Sequence, residues 1–477
     1  MKKRILIASL CFALVFSMLF VSCGKNEAKA EDESTDTVET VENVDLLGSL
    51  PEKDMGGRDF VIMSEWAQGH FPDSITGEPI DDVKYSRALY VEEKYNVNIV
   101  CVDVPKFYEA LSQAHLSGMK EYDLVFPHPT AHMQSILTTG LLSNLNDTEY
   151  VNLDGEWYNQ TQVENYEANG NLYLCVPDAT IVDTGFNCLV YNRDLYGELG
   201  FTEDLYEVVN SGRWTMEEFK NILAQTKTDG SGNEANKMYG LAFWEASSSA
   251  FMFAMGQNVF KKNSQGEFKI ALDSTKLVSI AEKFDAVLKS GDVVRSKSNT
   301  AGWPETEAWK TFANEKALFI THDIGVYHTL LRDIEFDVGF LPLPKFDENQ
   351  SEYRTVCAAG FWAIPAAVKD LDEAGIIMEA LAVYSHIYLK PEFYETVLFG
   401  RLSNVEKDYE MLDFIHRSKL YDLAMTLDTT DYVSTGILGS TVMKDGDPNG
   451  IAVYLKINRD KILNLADIAN GIGVSKE

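Results

Sequence analysis

The sequence predicts an α/β fold of two lobes, and three observations lead to that prediction. Short apolar runs alternate with helical periodicity between residues 58 and 126, in the order strand, helix, strand, helix, strand. This order is typical of a parallel sheet with right-handed crossovers. The stretch from residue 58 to 477 also exceeds the about 250–300 residues at which one hydrophobic core stops growing. A hydrophobic fraction of 45% suits a folded globule.

The first predicted sheet rests on apolar runs that are bounded by helical segments or by proline. Its first helix carries Tyr85, Ala88 and Leu89 at i, i+3 and i+4 spacing, and Pro127 ends the third strand. The predicted strands are 58–63, 97–102 and 122–126, and the predicted helices are 81–95 and 107–114.

Two loops of this sheet are predicted to contact a ligand, because ligands bind beyond the carboxyl ends of parallel strands. The loop after the first strand carries Glu65 and Trp66, and the loop after the third carries His128 and Thr130. A single aromatic residue in a large protein is more often part of the core, so packing is the alternative role for Trp66.

A second α/β unit is predicted to begin after about Asp183. Residues 189–191 resemble a strand, and Thr215 with Glu218 forms a capping-box pattern before a helix. Two further apolar stripes at helical spacing predict buried helix faces. One covers residues 277–288, and the other consists of Ile377, Ala380, Leu381, Tyr384 and Tyr388.

The N-terminus has the layout of a secretory signal peptide. Three basic residues precede an apolar run over residues 5–21, and Cys23 follows a small residue. This layout resembles a bacterial lipoprotein signal, which implies that Cys23 is the first mature residue and carries a diacylglycerol on its sulfur. Phe20 stands where that family usually has Leu. The alternative is an uncleaved anchor, for which the run of 17 residues is short against the about 20 that span a bilayer. Both place the rest of the chain outside the cytoplasm.

The segment after Cys23 is acidic, and the sequence as a whole carries a strongly negative charge. Residues 24–50 mix acids with Ser and Thr and hold no aromatic residue, so a flexible tether is predicted up to residue 57. The formal charge of −32 opposes binding to nucleic acid or anionic lipid and favours neutral or cationic ligands. Beyond Cys11 and Cys23, four cysteines remain, and none of them forms a C-x-x-C pair. We therefore expect small buried thiols, with a Cys175–Cys188 disulfide as the alternative.

Eight short motifs then occur in one order along the chain. They lie at residues 122–125, 140–147, 190–195, 213–219, 239–242, 312–317, 338–344 and 360–365. Their kinds and order resemble the extracellular solute-binding proteins of ABC importers, in the group that includes maltose- and oligosaccharide-binding lipoproteins. The last sixty residues match less clearly.

This resemblance implies a periplasmic-binding-protein-like fold of type II, in which hinge strands join two α/β lobes around a central ligand cleft. The crossings are expected near residues 183–186 and 356–361. The first lobe would then hold residues 58–184 and about 360–430, and the second residues 186–355 and about 431–477. The function implied is capture of an oligosaccharide or other small solute for a membrane permease, by a monomer without a cofactor.

Further ligand-binding residues are expected where the crossings and strand ends meet the cleft. A sugar offers an apolar face to aromatic rings and a rim of hydroxyls to carboxylates or amides, and this expectation selects Asp183, Trp244, Glu245, Asp323, Phe361 and Trp362. Tyr327 is added because the family carries a stacking aromatic, often Trp, in this segment.

No catalytic or metal motif is evident in the sequence. It lacks G-x-S-x-G, H-E-x-x-H and Walker patterns. His128 and His132 lack a third ligand, and Pro129 opposes one helix holding both. We therefore expect a binding protein and not an enzyme. A surface glycan hydrolase or adhesin is the alternative, since paired acids are set by distance in space and not by sequence.

Overall fold

A parallel sheet of three strands opens the folded chain in the computed structural model. Its strands are β1 (Arg58–Ser64), β2 (Val97–Asp103) and β3 (Leu124–Phe126). They lie in the order β2-β1-β3, and β1 pairs in parallel with both neighbours. The predicted strand–helix alternation and parallel pairing are confirmed. The register sets Ser64 at the end of β1 beside Phe126 at the end of β3, so the two loops predicted to contact ligand leave the same edge of the sheet.

The structure describes residues 45–128, 132–182, 187–226, 237–297, 304–398, 405–429, 433, 436–443 and 446–474. The strands are β1 (Arg58–Ser64), β2 (Val97–Asp103), β3 (Leu124–Phe126), β4 (Asn187–Asn192), β5 (Tyr239–Trp244), β6 (Phe260–Lys262), β7 (Phe268–Ile270), β8 (Val293–Ser296), β9 (Ala317–Asp323), β10 (Val338–Leu341), β11 (Thr355–Cys357) and β12 (Lys419–Tyr421).

The α-helices are α1 (Ala67–His70), α2 (Pro79–Tyr95), α3 (Phe107–Ser117), α4 (Met133–Thr138), α5 (Gln160–Tyr166), α6 (Arg193–Glu198), α7 (Leu205–Asn210), α8 (Met216–Ala224), α9 (Ser248–Ala254), α10 (Ser274–Ser290), α11 (Glu307–Ala313), α12 (Tyr327–Leu330), α13 (Leu371–Tyr384), α14 (Lys390–Leu398), α15 (Val405–Arg417), α16 (Leu423–Leu427), α17 (Gly436–Leu438), α18 (Gly450–Ile457) and α19 (Arg459–Gly471). Among the described residues, no helix is long and apolar enough to cross a membrane.

The second sheet has five strands in the order β10-β4-β9-β5-β8. β5 is parallel to β8 and β9, whereas β4 runs antiparallel to β9 and β10. The register pairs Asn187 with Asp323 and Phe243 with Thr321. The start of β4 therefore lies at the same edge as the ends of β5 and β9.

The chain returns to the first sheet after β11. Trp362 forms a β-bridge with Cys175, and Ala363 forms one with Val125 at the end of the first sheet. β11 pairs in parallel with β12, so two connecting strands lie side by side.

Two predicted helix faces are wrong in detail. The buried face of α2 is formed by Ile80, Lys84, Arg87, Val91 and Tyr95, whereas Leu89 of the predicted stripe is 46% exposed. Lys84 and Arg87 are buried because polar acceptors lie within reach of their charged ends, as described below. Tyr388 is also 46% exposed, because a π-helical segment over Ser385–Leu389 changes the residues per turn and rotates this side chain out of the stripe.

Near both ends of the folded chain, contacts extend across the predicted bounds of the tether and the lobes. Leu50 and Met55 are buried, and the Met55 N–H donates to the Tyr95 carbonyl at 2.8 Å, so packing starts before residue 58. Near the other end, Asp408 of α15 forms an ion pair with Arg193. Position 408 was assigned to the first lobe, whereas Arg193 directly follows strand β4 of the second sheet. The lobe boundaries remain a prediction.

The four cysteines among the described residues are free thiols. Cys175, Cys188 and Cys357 are buried and Cys101 is partly buried, so the bridge left open between Cys175 and Cys188 is not formed. Cys23 lies outside the described residues.

Candidate functional site

A cleft of about 1090 Å³ lies where the loops at the carboxyl ends of the two sheets meet. Its walls come from the ends of β1, β3, β5 and β9, from the start of β4, and from the connection after β11. This is the position that parallel strand order predicts for a ligand. Its size and its mixture of aromatic rings with a few polar groups suit a small molecule.

One wall of the cleft is a continuous run of rings. Trp66 lies edge-on to His70 at 6.1 Å, and His70 lies edge-on to Phe126 at 5.1 Å. Phe126 stacks on Trp362 at 4.5 Å with an interplanar angle of 9°. The run begins exposed and ends buried: Trp66 is 57% exposed and Trp362 is 1% exposed. The outer ring is therefore accessible to a ligand face, while the inner ring holds the wall in place.

The facing wall carries a second stacked pair. Trp244 lies over His322 at 5.1 Å with an interplanar angle of 12°, and its backbone N–H donates to Thr321 Oγ1 at 3.1 Å. Burial lowers the pKa of His322 to about 4, so this ring is neutral at pH 7. Trp244 thus rests on an uncharged aromatic support, much as Phe126 rests on Trp362.

Polar groups lie at the rim and floor. Glu65 Oε2 accepts the His128 backbone N–H at 3.2 Å, which joins the loops after β1 and β3. Asp323 Oδ1 accepts the Gly325 backbone N–H at 2.9 Å, which fixes the turn after β9. These bonds set carboxylates at defined positions at the strand ends.

Acids are the formally charged residues that line the cleft. Its ionisable lining residues in the described part of the chain are three acids and three histidines, with no Lys or Arg: Glu65, Asp323, Asp428, His70, His128 and His328. Such a lining opposes anionic ligands at neutral pH. It agrees with the expectation from net charge that the ligand is neutral or cationic.

The segment leading to the first crossing is anchored by a buried carboxylate. Asp178 accepts hydrogen bonds from His386 Nδ1 at 2.7 Å and His416 Nε2 at 3.2 Å, and pairs with Lys390 at 3.4 Å. Although burial raises it, these bonds and charges hold the pKa of Asp178 well below its usual range. Thr180, two residues on, lines the cleft, so the network fixes one of its edges.

Most of the residues predicted from the sequence meet in this cleft. Those that line it are Glu65, Trp66, His128, Trp244, Asp323, Phe361 and Trp362. Thr130, Asp183 and the lipidation residue Cys23 lie outside the described residues. Contact with a ligand remains a prediction for each of them.

Two predicted residues do not line the cleft. Tyr327 is fully buried and packs against His322 and Phe340 at 6.2 and 6.5 Å, so it supports the facing wall from behind. Glu245 begins a 3₁₀ turn, Glu245–Ser247, between Trp244 and Ala246, which both line the cleft. Glu245 itself does not line the cleft.

Several lining residues were missed from the sequence. His70 could have been found, because it lies four residues after Trp66 and shares a helical turn with it. Asn187 lies two residues before the predicted strand at 189–191, at the edge of the second sheet that faces the cleft. Four further lining residues come from the part of the chain where the resemblance was weakest, and only the folded chain brings them to the cleft: Met425, Thr426, Asp428 and Thr429.

Comparison with known proteins finds similarity at the level of structure. No family model matches the chain, and no curated protein matches it. The GacH receptor of Streptomyces glaucescens, solved unliganded and with acarbose, has a TM-score of 0.56 at 12% identity, covering 86% of this chain and 99% of its own.

Two further solved structures are similar to the same extent. The substrate-binding protein Lmo0181 of Listeria monocytogenes, in complex with cycloalternan, has a TM-score of 0.55 at 14% identity, covering 85% of this chain and 98% of its own. UgpB of Mycobacterium tuberculosis, in complex with glycerophosphocholine, has a TM-score of 0.55 at 15% identity, covering 86% and 98%. The chain therefore has the two-lobed α/β fold of the extracellular solute-binding proteins.

Proposed function

We propose that this protein is the solute-binding protein of an ABC-type importer, which captures a neutral oligosaccharide between its two lobes and delivers it to a membrane permease. The observation that carries the proposal is the cleft between the strand ends of the two sheets, with Trp66 on one wall and Trp244 on the other. Facing aromatic rings can cover both sides of a sugar ring, and polar groups beside them can bond its hydroxyls.

Binding in such a fold requires no covalent chemistry. A ligand that contacts both walls favours the closed arrangement of the lobes by its extra contacts there, and the hinge strands absorb the rotation. A site that bonds hydroxyls also discriminates against a ligand that lacks them, because its own polar groups are then left unpaired. GacH is named a receptor and Lmo0181 a substrate-binding protein, which supports binding over catalysis. Nothing in the described residues favours the hydrolase or adhesin alternative.

The proposal includes a location outside the cytoplasm, at the cell membrane. Its support is the sequence alone: the basic, apolar and Cys23 succession of a lipoprotein signal, and the acidic segment that follows. A lipid on Cys23 would tether the cleft near its permease, and the protein would act as a monomer.

A thermal-shift screen tests the ligand class. The panel is maltotriose, raffinose, ribitol, glycerophosphocholine and a tripeptide. A bound ligand at 100 times its Kd adds about 2.7 kcal/mol to the free energy of unfolding, so a saccharide should raise Tm while the tripeptide leaves it unchanged. A shift with the tripeptide alone would contradict the saccharide assignment. Chromatography of the same saccharide after incubation should return it intact, whereas shorter products would support the hydrolase.

A further inference from the structure

The short helix α1, which directly follows Trp66, has a glycine beneath the Trp66 ring. A methyl group on Gly69 would lie 2.3 Å from Trp66 Cδ2 and 2.4 Å from Cε2 and Cε3. Carbon atoms that are not bonded to each other do not approach so closely. The φ angle of Gly69 lies outside the left-handed region, so the backbone conformation itself does not require glycine. The reason for glycine at this position is the indole ring that lies on it.

Two buried cations of α2 hold the backbone of this turn. Lys84 is 3% exposed, and its Nζ donates to the Gly69 carbonyl at 2.6 Å. Arg87 is 1% exposed; its Nη2 donates to the His70 carbonyl at 2.8 Å and its Nη1 to Ser385 Oγ at 3.0 Å. Burying a charge is costly unless it is hydrogen-bonded. These carbonyls therefore resist displacement, since moving them would remove a hydrogen bond from a buried cation.

The aromatic side of the turn is less constrained. Trp66 is 57% exposed, and within the described part of the chain its ring has only the edge of His70, at 6.1 Å, as an aromatic neighbour. If a side chain were added at position 69, the two parts in contact would be a pinned backbone and an exposed ring. The ring would move, because its displacement costs few packed contacts.

We propose that Gly69 is a positioning residue for ligand binding: by lacking a side chain, it lets the Trp66 ring lie flat on the turn pinned by Lys84 and Arg87, in the place where the ring faces the cleft. This inference rests on the proposed function, since it assigns Trp66 to the ligand surface. It adds a residue that touches no ligand but sets the position of one that does.

A ligand-free measurement tests the geometric part. The variant is Gly69→Ala and the matched control is Gly197→Ala, at a glycine in α6 with no atom within 4 Å of an added methyl group. Acrylamide quenching of Trp66 fluorescence is obtained as the difference between each protein and its Trp66→Phe counterpart. Gly69→Ala should increase quenching of Trp66, because the ring leaves the turn, and Gly197→Ala should leave it unchanged. Unchanged quenching in Gly69→Ala would overturn the proposal.

A double-mutant cycle tests the binding part, with maltotriose or raffinose as the probe, whichever gives the larger thermal shift. Gly69→Ala should raise Kd about tenfold, equal to about 1.4 kcal/mol, and should raise it no further when Trp66→Ala is present. An added loss in the Trp66→Ala background would show that Gly69 acts through another group, and would overturn the proposal. If Trp66→Ala binds like the natural protein, or neither sugar binds, the proposed function of the wall fails, while the quenching result still decides the role of Gly69.

Discussion

At the scale of residues, the two ends of the aromatic wall differ in burial and so differ in what they do. Trp66 is 57% exposed, whereas Trp362 is 1% exposed and stacks on Phe126 at 4.5 Å. The same residue type is therefore suited to a ligand surface at one end and to the core at the other. The sequence suggested both positions but could not separate these roles, because burial depends on neighbours distant in the chain.

Substituting the two tryptophans separately should separate binding from stability. Trp66→Ala should raise the Kd for the bound saccharide about tenfold while changing the free energy of unfolding by less than about 0.5 kcal/mol, as is usual at exposed sites. Trp362→Ala should cost about 3–5 kcal/mol of stability, because it removes a large buried ring. Urea unfolding and isothermal titration measure the two effects. A stable Trp362→Ala protein together with an unfolded Trp66→Ala protein would contradict this division.

At the scale of elements, the types of helix and strand followed from local pattern, and the error in the buried face of α2 followed from polar burial. Thr215 caps α8 by accepting the Glu218 N–H at 3.3 Å, as the capping-box pattern predicted. The face of α2 could not be predicted, because a stripe with Lys84 and Arg87 is typical of an exposed face. Those side chains are buried where acceptors such as the carbonyls of Gly69 and His70 lie within their reach, and sequence periodicity does not contain these contacts.

Helix α13 illustrates the same effect with a buried acid. Glu379 is 5% exposed; its Oε2 accepts Tyr158 Oη at 2.9 Å and the Asn152 N–H at 3.2 Å. Burial raises the pKa of Glu379 to about 7, above the usual 4.5. The folded state therefore binds this proton more tightly than the unfolded chain. The stability that the proton contributes is present below about pH 4.5 and is lost as pH rises through 7.

Replacing Glu379 with its neutral isostere should remove the contribution of this one group to the pH dependence of the free energy of unfolding. Glu379→Gln keeps an oxygen to accept from Tyr158 and Asn152 but has no proton to lose. At pH 8 the variant should be more stable than the natural protein by up to about 3 kcal/mol, and at pH 4.5 the two should be similar. Urea unfolding at both pH values measures the difference. A variant less stable at pH 8 would contradict a raised pKa for this group.

At the scale of the whole molecule, much of the candidate site followed from topology. Parallel strands place their carboxyl ends together, and that rule alone located Glu65, Trp66 and His128 from the pattern of apolar runs. The facing wall required the crossings and the second sheet, which the family resemblance supplied. Met425, Thr426, Asp428 and Thr429 could not be predicted, because the chain reaches the cleft there through long-range packing and not through a motif.

The location of the molecule is testable through one residue. Cys23→Ser removes the sulfur on which a lipid would be attached, so the variant should leave the membrane fraction, whereas Cys101→Ser should remain there. Fractionation with mass spectrometry of the N-terminal peptide measures both. Membrane retention of the Cys23→Ser protein with its N-terminal apolar run uncleaved would contradict lipidation and support the uncleaved anchor.

The central claim is that two lobes close on a solute that they do not alter. Small-angle X-ray scattering with and without the saccharide that gives the largest thermal shift tests this claim most directly. We predict that the radius of gyration falls when the ligand saturates the protein, and returns to its initial value when the ligand is dialysed away. A saturated protein with an unchanged radius of gyration would contradict the claim.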